Sequence, residues 1–195
     1  MTVSTLPTWS SNHIRQTFAR RSLLPLKQDC LWQITTGVVR TLTWLENGNF
    51  VNLGLWGPGD IVGRALSNAD PLQIECLTPV EVTLLPARDW HQATEAMILH
   101  IQRSGELIEI LHCRQAEVSL LQLLAWLAKR FGQEVEQGKL INLGLTHQDL
   151  AEMIGLTRVT VTRLLNAFEK QGIIQRKERQ SIILHEQSPF WHYEI

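Results

Sequence analysis

The sequence predicts an α+β protein in three parts, and three observations predict it. Short β-rich segments separated by glycine-bearing turns fill the stretch from Leu31 to about Pro86. A run from Arg88 to Gly132 then holds no proline and only one internal glycine, Gly105. Beyond it, "LTHQDLAEMIGLTRVTVTRLLNAFEKQGII" carries the start and stop signals of two successive helices. The expected partition is residues 1–86, a β domain with an N-terminal helix; 87–132, a long helix and its connection; and 133–195, a winged helix-turn-helix.

In the first part, "GVVRTLTWL" and "FVNLGLW" are rich in β-branched and aromatic residues, and "ENGN" between them places Asn47-Gly48 at a tight hairpin turn. "GPGD" at Gly57 to Asp60 breaks the second strand, and "TPVEVTLLP" supplies another. Several short strands with regular turns imply a sandwich or small barrel.

In the second part, Met97, Ile101, Ser104, Ile108, Leu111, Gln115 and Val118 recur at alternating spacings of four and three, the seam along which two copies would pair as a coiled coil. Two of these positions are polar, so an amphipathic helix packed on its own barrel stays open. Ile98, Leu107 and Ile110 are surplus apolar residues for such a contact.

Composition limits what the chain can do. With 195 residues, 44% hydrophobic and 19% charged, it suits one large or two small globular domains. A net charge of −1 gives no global attraction to nucleic acid or membrane, so such binding needs a local patch. Cys30, Cys76 and Cys113 are too scattered for a disulfide framework or a local zinc or iron-sulfur cluster. No histidine falls between Leu31 and Pro86, which argues against metal catalysis in the barrel, and His91, His100 and His112 lack the spacing for joint ligation. With no phosphate loop and no nucleophile elbow, neither an enzyme nor a bound metal or cofactor is expected. No signal peptide and no membrane span is legible, so the expected location is the cytoplasm.

The third part carries the chemistry. Thr146, with Asp149 three residues on, suits a helix N-cap; Gly155 suits the turn that ends that helix; and Thr157 suits the cap of the next. At roughly 100° per residue, Val161, Leu164, Leu165 and Phe168 share one arc of the second helix. Arg158, Val159, Thr162, Arg163 and Asn166 share the opposite one, so the arginines of "TRVTVTRLL" face outward. Arginine matches the O6 and N7 acceptors of guanine, and a valine or threonine methyl matches the thymine methyl. Leu156 to Gln180 holds six basic residues against Glu169 and Glu178, enough for a phosphate-binding patch. "IIQRKERQSIILHE" reads as a two-stranded wing with Arg176, Lys177 and Arg179 at its tip; a merely solvated hairpin is the alternative.

The order of β-roll, long helix and winged helix, together with "TRVTVTRLL" and the glycines Gly37, Gly48, Gly59 and Gly63, resembles the CRP/FNR family of bacterial transcription regulators from about Leu23 to Leu184. The resemblance implies a double-stranded β-roll, homodimers joined through the long helix, and a recognition helix in each half of a palindromic duplex, with RNA polymerase as a further partner. It implies that Arg158 and Arg163 read bases, with Val159 standing where the catabolite activator branch has glutamate and Thr162 beside them. Phosphate contacts fall to Thr146, His147, Gln148, Thr157, Thr160, Arg176, Lys177 and Arg179. The whole string is similar to the global nitrogen regulator branch, implying a GTA-N8-TAC-like site.

The effector side departs from the family. Gly63 is followed by Arg64 where cyclic-nucleotide binders have glutamate, and "RALSNADPLQI" holds no later arginine, so cyclic AMP is not expected. The arginine with which the nitrogen branch binds 2-oxoglutarate aligns with Asp70 or Pro71, which puts that ligand in doubt. Arg40, on the strand face of Val38, Leu42 and Trp44, is a candidate for an anionic effector or simply an edge arginine. A regulator that needs no small ligand is equally expected; a winged helix that binds protein instead of DNA, and a 2-oxoglutarate-responsive nitrogen regulator, are the alternatives.

Overall fold

The computed structural model of the chain describes residues 14–46, 48, 50–177 and 180–185. They form two compact units: residues up to Thr43 with Leu55–Ile101, and Trp44–Gly54 with Gln102 onward.

The β-roll is built from the strands of residues 15–86. One sheet runs β1 (Arg15–Phe18), β7 (Val80–Pro86), β2 (Cys30–Thr36), β5 (Ile61–Val62); the other sets β3 (Val39–Trp44) between β4 (Phe50–Trp56) and β6 (Gln73–Cys76). The inward residues Trp32, Ile34, Val39, Trp56, Val62, Ile74 and Val82 are buried in one cluster, each contributing about 1.5–3 kcal/mol of burial. A buried indole needs an acceptor. Trp32 Nε1 donates to Pro25 O at 2.8 Å and Trp56 Nε1 to Thr41 Oγ1 at 3.1 Å. Gly37 turns β2 into β3 at φ 84°, and a Cβ there would lie 2.2 Å from Pro79 O.

No N-terminal helix forms from Ile14 to Ser22. Arg15–Phe18 instead pair antiparallel with Thr83 to Val80, giving β7 a second neighbour and leaving Phe18 edge-on to Trp32. Residues 1–13, where the rest of that expectation falls, lie outside the described residues.

The helical stretch is likewise not one helix. A 3-10 turn, Ala87–Ala93, leads into α1 (Thr94–Leu111), and α2 (Ala116–Phe131) follows after a break. His112 N shares Ile108 O and Glu109 O, Cys113 N reaches Ile110 O, and Gln115 is extended at φ −93°, ψ 113°. The last turn of α1 has tightened and stopped. The seam from Met97 to Val118 is therefore interrupted before Gln115. Met97 packs on Leu31, Ile61, Leu85 and Ala93 of its own roll, and Ser104 is half-buried. Ile98, Ile101, Ile108 and Leu111 are exposed, Ile101 to 72%. Leu107 and Ile110 are buried, and Ser119 on α2 donates to Ile110 O at 3.2 Å, so this face of α1 closes on α2.

In the second unit, α2 buries Leu120, Leu121, Leu123, Leu124 and Leu127. Toward its end Arg130 lies over the rings of Trp126 and Phe131, at 4.9 and 4.8 Å, and burial lowers its pKa to about 10. There follow β8 (Gln133–Val135), β9 (Gly138–Ile141), α3 (His147–Ile154), α4 (Arg158–Lys170), β10 (Ile174–Lys177) and β11 (Ser181–His185), with sheet order β10, β11, β9, β8. Leu124 and Leu127 meet Ile141, Leu143, Leu145, Leu150 and Ile182 around a small internal void.

Candidate nucleic-acid interface

The site is built on two capped helices. Thr146 Oγ1 accepts from Asp149 N at 3.0 Å, while Asp149 Oδ2 accepts from Thr146 N at 2.7 Å, completing a capping box that starts α3. Gly155 ends α3 in the left-handed conformation, φ 66° and ψ 26°. Thr157 starts α4, its Oγ1 accepting from Thr160 N at 3.1 Å and lying 2.9 Å from Thr160 Oγ1. Residues 155–157 thus join the end of α3 to the start of α4 in one short turn.

The inner face of α4 is Val161, Leu164, Leu165 and Phe168, all buried. The outer face is open, and Arg158, Val159, Thr162, Arg163, Asn166, Ala167 and Lys170 line it. Val159 is 78% exposed, an apolar side chain left open to solvent. Among the described residues no hydrogen bond or ion pair engages the guanidinium of Arg158 or Arg163. Asn166 and Lys170 are the outer-face residues that the sequence reading did not assign to binding; their signal is helical spacing from Thr162 and Arg163. Asparagine can pair with adenine N6 and N7.

Beside this face, a groove of roughly 530 Å³ is lined by Thr146, His147 and Gln148 of the α3 start, Arg158 of α4, and Arg176, Lys177, Gln180 and Ser181 of the wing. It gathers most of the expected phosphate ligands. Besides Thr146, which is held in its capping box, three are already engaged within the chain. Gln148 Nε2 donates to Glu152 Oε1 at 2.9 Å. Arg176 gives its backbone N–H, Nε and Nη2 to the Glu169 carboxylate, bracing the wing against α4 and lowering the pKa of Glu169. His147 Nδ1 lies 2.8 Å from Thr162 Oγ1. Lys177 is exposed at the groove, and Arg179 lies outside the described residues.

The Thr162 contact fixes proton positions. Thr162 Oγ1 donates its one hydrogen to Arg158 O at 2.9 Å, so toward His147 it accepts, and Nδ1 carries the proton. Burial first, then Arg176 and Arg158, lower the His147 pKa and favour the neutral ring.

In the roll, Arg40 faces a carboxylate. It stands opposite Glu75 in the β3–β6 register, with Nε and Nη2 at 2.8 and 2.7 Å from Glu75 Oε2, and Arg21 holds the other oxygen at 3.2 Å. Arg64 Nη1 is bound to Ala69 O within its own loop. Among the described residues no group of three or more His, Cys, Asp or Glu could hold a metal ion, and no helix is long and apolar enough to cross a membrane.

Residues 119–188 match the Crp-like helix-turn-helix domain. The chain is similar to the regulatory protein CysR of Synechococcus elongatus, 43% identical over 174 residues, covering 87% of this chain and 83% of that one. It is also similar to the global nitrogen regulator of Nostoc sp. (strain PCC 7120), 35% identical over 108 residues, half of this chain and 48% of that protein. In fold it resembles a CRP-family transcriptional regulator of Thermus thermophilus, with TM-score 0.76 at 22% identity over 87% of this chain and 91% of the other. FixK2 of Bradyrhizobium japonicum gives 0.73 at 19% identity over 88% and 92%.

Proposed function

Because this chain belongs to the CRP/FNR family of transcription regulators, we propose that it reads a palindromic DNA duplex as a homodimer, without a cyclic nucleotide. The observation that carries the reading is the outer face of α4, where Arg158, Val159 and Arg163 are held outward on a capped, packed helix. The N-terminal part of a recognition helix is what reaches base edges in the major groove. Thr146, His147 and Lys177 around the adjoining groove would meet phosphates and set the register. The exposed Ile98, Ile101, Ile108 and Leu111 of α1 supply the apolar face for a second copy. Two recognition helices would then enter major grooves about 34 Å apart.

On the effector side, Arg40 and Arg64 are spent on Glu75 and Ala69, which supports a roll that answers neither to cyclic AMP nor to 2-oxoglutarate through these cations. The likeness of "TRVTVTRLL" to the nitrogen regulators supports a GTA-N8-TAC-like site, and RNA polymerase is the partner such a regulator would address.

The test is fluorescence anisotropy of the ligand-free protein on a GTA-N8-TAC duplex, a catabolite-type palindrome and a scrambled control at near-physiological salt. Tight, selective binding to the first is expected. Equal binding to all three, unchanged by added 2-oxoglutarate and by site selection from random DNA, would overturn the reading.

A further inference from the structure

Thr162 lines the outer face of α4, yet its hydroxyl is turned away from that face. The donor goes to Arg158 O, one turn back on the same helix. The acceptor side is covered by His147 at the start of α3, fifteen residues earlier in the chain. A threonine Cβ carries only a hydroxyl and a methyl, so when the hydroxyl is held toward the helix backbone and α3, the methyl is what the outer face can present. Val159, one turn before Thr162 and on the same face, presents methyls too.

We infer that Thr162 reads the 5-methyl group of a thymine through its own methyl, not a base edge through its hydroxyl, and that His147 is the positioning residue that holds it so. The inference rests on the DNA-reading function proposed above. It assigns to His147 a part in base selection as well as in phosphate contact, and it makes Val159 and Thr162 one apolar strip flanked by Arg158 and Arg163. A duplex suited to that strip carries adjacent thymine methyls in the major groove beside a guanine. A ring with its proton on Nδ1 fits this role, because only a protonated Nδ1 can donate to the hydroxyl.

The test replaces each thymine of the half-site in turn with deoxyuridine, which removes the methyl and nothing else, and measures affinity for the full-length protein. The ratio of thymine to uracil affinity is the readout. For the parent it should be about three- to ten-fold at one or more positions, the effect of withdrawing a buried methyl. At one of those positions Thr162→Val should keep the ratio and Thr162→Ser should bring it near one. His147→Ala should lower it, and His147→Asn, whose amide can donate from nearly the same place, should restore it. Helicity and thermal unfolding of each variant show that it is folded. If the parent is indifferent to uracil everywhere, or if Thr162→Ser keeps the ratio that Thr162→Val loses, the hydroxyl and not the methyl is the reader and the inference is wrong. A parent that selects no duplex at all, even from random DNA, overturns the DNA-reading function, and this assignment with it.

Discussion

The arginines of the β-roll and those of α4 are the same side chain put to opposite uses. Arg40 is 7% exposed and its guanidinium is closed by a carboxylate on the neighbouring strand. Arg158 and Arg163 sit on a helix whose other face holds the core, and among the described residues no carboxylate answers them. Wing and groove stand between these extremes, with Arg176 spent on Glu169 and Lys177 exposed. A charge neutralised inside the chain is costly to leave unpaired, whereas one left open on a rigid support is available to an outside anion. The two kinds of arginine are told apart by their partners and not by their number.

Four experiments would break or sharpen this contrast, and Arg40→Ala has the largest expected effect. It leaves Glu75, whose side chain is 12% exposed, without its closest partner, and should cost about 3 kcal/mol or more of stability in urea unfolding. Base preference should not change; if it does, the roll arginine is not merely structural. Arg158→Ala and Arg163→Ala should do the reverse, weakening specific binding by about 1–3 kcal/mol per half-site while leaving the unfolding midpoint in place. Thr146→Ala tests a residue that belongs to both classes. Loss of the capping box should cost about 1 kcal/mol of stability, with a uniform loss of affinity across duplexes and no change in preference.

The smallest effect is a pH dependence. The His147 pKa is lowered below 6.5 in the folded chain, so folding favours the neutral ring. Its contribution to stability is complete above the unfolded value and lost as pH falls through the lower folded one. Urea midpoints taken from pH 8 to 5 should fall in acid, and His147→Gln should flatten part of that fall. An unchanged slope in the variant would show that the ring does not report its surroundings.

The winged helix was legible because its signals are local. Thr146, Asp149, Gly155 and Thr157 mark caps and a turn within a dozen residues, and the arc of Val161, Leu164, Leu165 and Phe168 follows from one periodicity. The break between α1 and α2 was not, because "HCRQ" contains neither glycine nor proline. It is made by the tightened turn at His112 and the extended Gln115, and the polar seam position Gln115 is the sequence feature that falls on it. The pairing of Arg40 with Glu75 depends on the register between β3 and β6, thirty-five residues apart in sequence, and no single-strand pattern states a register. The same holds for β1, whose four residues become a strand only beside β7. His147 was placed at the phosphates by its position at the start of α3; that it also grips Thr162 depends on how α3 packs on α4.

Val159 has one more consequence. Its side chain is 78% exposed, so a change of residue there meets little resistance from packing. The position can pass through many amino acids during divergence while every intermediate still folds. Duplicated copies of such a gene could therefore part company in the DNA they address by altering one codon, with the scaffold inherited intact.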